Sequence, residues 1–145
     1  MASLKKFLEQ KKYHRIKLGL TKTNHLYVSA YINGIKGDFI VDTGASSSCV
    51  DFKYIDYFLM NTQDSSVRAA GAGASNMLTR VSLSNEISIS SWTKKKMSLV
   101  AFDLSHVNLA LADHEADLVH GILGADVLQK GKAVIDYARK CMYLK

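Results

Sequence analysis

The 145-residue chain contains no proline, has only two cysteines, and has no apolar run near the ~20 residues that a membrane-crossing helix requires. Cys49 and Cys141 lie far apart and match no Cys-x-x-Cys metal spacing, so they read as free, partly buried thiols in a reducing compartment. The N-terminal stretch carries Lys5, Lys6, Lys11 and Lys12 with no continuous apolar segment after them, which argues against secretion and for a cytoplasmic, non-membrane protein. Repeats, low-complexity tracts and linkers are absent as well. With 48% hydrophobic and 22% charged residues, one compact β-rich domain is the simplest reading.

The formal charge of +6 raises the question of a nucleic-acid partner. Its small groups, Lys5-Lys6, Lys11-Lys12 and Lys94-Lys95-Lys96, are scattered and not interleaved with aromatics, so they read as solvated faces and no nucleic acid is expected. His106, His114 and His120 lie near Asp113, Glu115 and Asp117, but their spacing is not that of a zinc-binding helix. They read as surface or hydrogen-bonded histidines, with no metal or other cofactor. Trp92 and the tyrosines read as core or interface residues. Ser46 to Ser48 lack a Gly-x-Ser-x-Gly elbow and a clear base partner, which leaves a serine hydrolase unsupported.

Along the chain, residues 1 to 12 read as a short helix or frayed tail with Leu4, Phe7 and Leu8 on one stripe. Leu26 to Ile32 alternate, Asn33-Gly34 supplies a tight turn, and Phe39 to Val41 return as a second strand. That hairpin delivers Asp42 to the turn Thr43-Gly44. Ser47 to Val50 form another short strand, and Asp51 caps a helix carrying Phe52, Ile55 and Phe58 on one face. Asn61 to Ser66 are a polar loop. Two extended arms, Val67 to Ala70 and Met77 to Leu83, flank Gly71-Ala72-Gly73 as a mobile hairpin. Ile87, Ile89, Met97, Leu99 and Ala101 keep strand rhythm, 103 to 111 is helix or loop, and 112 to 117 is a polar link. Leu118 to Gly124 are an apolar strand, Ala125 to Gln129 a short helix ended near Gly131, and 133 to 137 with 141 to 144 a last strand pair.

This order of elements, with Asp42-Thr43-Gly44-Ala45 after the first hairpin and Ile122-Leu123-Gly124 before the last helix, resembles the retropepsin-like aspartic proteases, in particular the bacterial single-domain members. The likeness covers roughly residues 24 to 145; residues 1 to 23 read as an N-terminal extension with a first strand. It implies a single mostly β barrel with a flap hairpin and one or two short helices. It further implies that Asp42 is the catalytic acid, that Thr43 ties two active-site loops together, and that Gly44 is the turn glycine. Ile122, Leu123 and Gly124 would support the loop, and Gly71, Ala72 and Gly73 would cover substrate. Two departures stand out. Ala45 lacks the hydroxyl that pepsin-like enzymes place there, which implies a dyad that titrates higher than theirs. Ser46 replaces the second acid common in viral members, so substrate grip differs too.

Hydrolysis by this route needs two carboxylates, and the chain has one Asp-Thr-Gly. Asp126 and Asp136 are not followed by a comparable turn. The expectation is a homodimer in which Asp42 from each chain meets across the axis and cleaves peptide or protein substrates. The alternative is a catalytically silent module of the same fold that binds peptides or mediates dimerisation.

Overall fold

The computed structural model describes residues 3–71, 74–114 and 118–145, with side-chain detail outside 65–78. A short helix α1 (Leu4–Gln10) opens the chain, its first turn held by the Ser3 hydroxyl, which accepts from the Lys6 amide at 3.1 Å. Of its apolar stripe only Leu8 is buried, against Cys141 and Tyr143; Leu4 and Phe7 stay exposed. Strands β1 (His14–Lys17) and β2 (Gly19–Leu20) follow. β1 pairs with the C-terminal strand and β2 with the next strand, so the N-terminal segment is woven into both sheets.

β3 (Leu26–Ile32) buries Leu26, Val28, Ala30 and Ile32 on one face, as alternation requires. Asn33 and Gly34 both hold positive φ (52° and 85°), the backbone of a two-residue hairpin turn, and β4 (Ile35–Val41) returns antiparallel. Phe39 enters the main core while Ile40 enters a second cluster on the opposite face with Phe102, Leu104, Leu111 and Val119. A strand covered on both sides explains why three apolar residues run consecutively here.

β5 (Cys49–Asp51) is buried throughout. After it the expected helix is only a 3-10 turn, Phe52–Tyr54, capped by Asp51. Phe52, Ile55 and Phe58 do not share one face: Phe52 packs on the second core cluster, while Ile55 and Phe58 join the first. β6 (Gln63–Gly71) begins within the polar stretch expected to be a loop. Its polar residues are accommodated because β6 is the last strand of its sheet and, among the described residues, pairs only with β7 (Ala74–Ile89). β8 (Trp92–Phe102) follows, then α2 (Ser105–Asp113), which resolves the ambiguous segment as helix and extends it into the expected polar link. β9 (Gly121–Leu123), α3 (Ala125–Lys130), β10 (Val134–Asp136) and β11 (Cys141–Leu144) complete the chain.

The large sheet runs β2-β3-β4-β9-β5-β8-β7-β6, and an extra pairing of β3 with β7 closes β3, β4, β9, β5, β8 and β7 into a ring. The result is the expected mostly β barrel with short helices. A small sheet, β1-β11-β10, buries Met142 and Leu144 in the barrel core and turns Cys141 and Tyr143 toward α1. Among the described residues no helix is long and apolar enough to cross a membrane.

Candidate active site

β4 and β9 are parallel, and β5 pairs antiparallel with the other edge of β9. The chain leaving β4 must therefore arch over the end of β9 before it can enter β5, and the arch is residues 42 to 48. Asp42 stands at its foot. The Asp42 amide donates to Leu123 O at 2.9 Å, which extends the β4–β9 ladder by one bond. The Asp42 carboxylate accepts from the Gly44 amide at 2.8 Å, and its carbonyl accepts from the Ala45 amide at 3.2 Å. An Asp side chain that bonds the amide two residues on is a turn-forming arrangement, and it fixes the acid at the strand end while leaving it half-buried.

Thr43, Gly44 and Ser46 are exposed, and Ala45 is half-buried with its carbonyl accepting from the Ala125 amide at 2.7 Å. Ile122 and Leu123 are buried in β9 directly beside Ile40 and Val41. Gly124 sits so tightly beneath the arch that a Cβ there would lie 2.6 Å from Ala45 O and 3.0 Å from Ser47 O. The structure thus brings together Asp42, Thr43, Gly44, Ala45, Ile122, Leu123 and Gly124. Gly71 lies elsewhere, at the far end of β6 and paired with Ala74, while Ala72 and Gly73 fall outside the described residues.

Ser48 and Asp126, which the sequence offers only as part of a serine run without a base partner and as an acid with no turn after it, are joined here. Ser48 is the only buried member of the serine run, 1% exposed, and it bonds the carboxylate of Asp126 through both its amide and its hydroxyl. The available signal was slight: a small polar residue abutting a buried strand, and an acid two residues after Gly124. Behind the arch, burial pushes the Cys49 thiol up to about 12, with the charges of Asp126, Asp42 and Asp51 acting in the same direction. That thiol is no nucleophile at neutral pH. On the outer side, Thr43 borders an open groove of about 500 Å³ whose walls include Ala125, Leu128, Ala133 and Ile135.

At the other end of the β4–β9 ladder, His120 clamps the same pair of strands. Its amide donates to Asp38 O at 2.8 Å and its Nδ1 accepts from the Asp38 amide at 3.0 Å, with the ring packed against Tyr54 and Tyr57. Nδ1 is an acceptor there, so the ring proton sits on Nε2. Among the described residues no group of three or more His, Cys, Asp or Glu side chains is placed to hold a metal.

A family model described as aspartyl protease matches residues 28–127. No curated protein matches the chain in sequence. Among solved structures, a retropepsin-like aspartic protease from Rickettsia conorii superposes with a TM-score of 0.60 at 18% identity, covering 91% of this chain and 90% of its own. The retroviral protease-like domain of Ddi1 from Leishmania major gives 0.56 at 16% identity over 83% and 88%. EIAV protease in complex with the inhibitor HBY-793 gives 0.52 at 18% identity over 72% and 86%. At these identities the likeness is one of fold.

Proposed function

The chain belongs to the aspartyl protease family, and we propose that it is an aspartic endopeptidase that works as a homodimer, each copy supplying the carboxylate of its Asp42. The observation that carries this reading is the arch itself: a half-buried carboxylate, oriented by the Gly44 amide, at the end of a strand locked to β9. One chain offers one such acid. Peptide hydrolysis by water needs a second, because one carboxylate removes a proton from the water while the other gives a proton to the scissile carbonyl.

Two Asp42 side chains brought together across a two-fold axis would share one proton, since like charges so close do not both ionise cheaply. Exposed Thr43, the next residue along, would then meet its copy and tie the two arches together. The ionised member accepts a proton as the water oxygen attacks the carbonyl carbon, and the protonated member hydrogen-bonds the carbonyl oxygen. Collapse of the tetrahedral intermediate returns a proton to the leaving amine. Gly71, Ala72 and Gly73 would cover an extended peptide, and Ser46, exposed on the arch, would line its binding cleft.

Replacing Asp42→Asn keeps the shape of the turn and removes the acid. Cleavage of a denatured protein mixture should disappear in that variant, and cleavage that persists would refute Asp42 as the catalytic group.

A further inference from the structure

We propose that Asp126 is a positioning residue for the arch that carries Asp42, a role that rests on the reading of Asp42 as catalytic acid. The arch is attached to the run Leu123–Asp126 at three points. Its start is held by the Asp42 amide on Leu123 O, its middle by the Ala125 amide on Ala45 O, and its end by Ser48 on Asp126. The first two attachments are main chain to main chain. Only the third depends on a side chain of the supporting segment.

The chemistry of that third attachment requires an acceptor at position 126. The Gly124 amide donates to the Ser48 hydroxyl oxygen at 2.8 Å. An amide only donates, so the single hydroxyl proton of Ser48 is free to point onward, and it does so to Asp126 Oδ1 at 2.7 Å. The Ser48 amide donates to the same carboxylate at 2.9 and 3.0 Å, and the Val127 amide reaches Oδ1 at 2.8 Å. Three donors converge on one oxygen of the half-buried Asp126, where a satisfied polar network rigidifies and an unsatisfied one is costly. The network ties the far foot of the arch to the N-terminal turn of α3, so the loop between Asp42 and Ser48 is fixed at both ends.

Asparagine at 126 retains an oxygen where Oδ1 now accepts, whereas leucine fills the space and leaves the Ser48 amide and the Ser48 hydroxyl proton without an acceptor. In the full chain, without substrate, Asp126→Leu should accelerate amide hydrogen exchange at Gly44 to Ser48 and Gly124 by about 10-fold or more while β3 amides keep their rates, because a lost network of this kind opens locally. On a peptide that the wild type cleaves, kcat should fall by about 10- to 100-fold with KM nearly unchanged, the signature of a misplaced catalytic group rather than a lost binding contact. Asp126→Asn should restore both to within a few-fold of wild type.

Loop exchange and kcat at wild-type values in Asp126→Leu would overturn the proposal, as would an asparagine variant as impaired as the leucine one or an acceleration spread equally over the barrel. If the leucine variant does not fold, Ser48→Ala keeps the amide bond to the carboxylate but removes the hydroxyl that joins the Gly124 amide to Asp126, and it should give the same loop-restricted acceleration; unchanged exchange in it would equally refute the role. Exchange is read without turnover, so an inactive wild-type protein would count against Asp42 as a catalytic acid and leave the loop test standing.

Discussion

Asp42 and Leu123 are joined by a main-chain hydrogen bond of 2.9 Å, the final rung of the parallel β4–β9 ladder. The acid is therefore placed by a strand contributed from the opposite end of the chain. Its position is a property of tertiary pairing more than of its own turn, and changes beneath the arch should be felt at the carboxylate.

Gly124→Ala tests this dependence. The added methyl would press on Ala45 O and on the Ser47 backbone, neither of which is the tip of a flexible side chain. The φ at Gly124 is −105°, so the effect is one of space and not of backbone strain. Overpacking of this kind costs about 1–3 kcal/mol. Urea unfolding should show a loss in that range, and cleavage should fall by more than the unfolded fraction explains.

Asn108 gives a test remote from the arch. It is 5% exposed on α2, and its amide clamps Val119 from both sides, accepting from the Val119 amide at 2.8 Å and donating to the Val119 carbonyl at 3.1 Å. Those bonds fix the entry to β9. Asn108→Ala strands a buried main-chain donor and acceptor, which costs about 1–3 kcal/mol. Denaturant midpoints should drop accordingly.

The raised thiol of Cys49 gives a pH signature. Below its ordinary 9.0 the group is protonated in both folded and unfolded chains, so it adds no pH dependence. Between 9.0 and about 12 the unfolded chain loses the proton while the folded chain keeps it, so stability falls as pH rises. The slope from one such group approaches about 1.4 kcal/mol per pH unit. Cys49→Ala should show a flatter decline over that window than wild type, and native wild type should resist thiol reagents at pH 8 at this position.

Much of this organisation is legible in the residues themselves. Asn33-Gly34 announces its turn because the backbone there needs positive φ, and the alternation of Leu26 to Ile32 shows which face is buried. Asp42 stands out because an acid follows three apolar residues. Other features depend on partners far along the chain. Gln63 to Ser66 look like a loop by polarity and are strand because Val81 and Arg80 stand opposite Gln63 and Asp64. The stretch after Asp51 has helical spacing, yet Phe52 and Phe58 are drawn to different cores, which stops the helix after one turn. Ser48 and Asp126 matter through one another, and neither carries a local pattern that announces the pairing.

The shared site is tested most directly by mixing. Wild-type chains and Asp42→Asn chains are denatured together in equal amounts, refolded, and assayed at fixed total concentration. If each dimer needs both acids, random pairing leaves about one quarter of the all-wild-type activity. Activity of about one half, falling in simple proportion to the wild-type fraction, would mean that each chain carries its own complete site and would contradict the paired-Asp42 account.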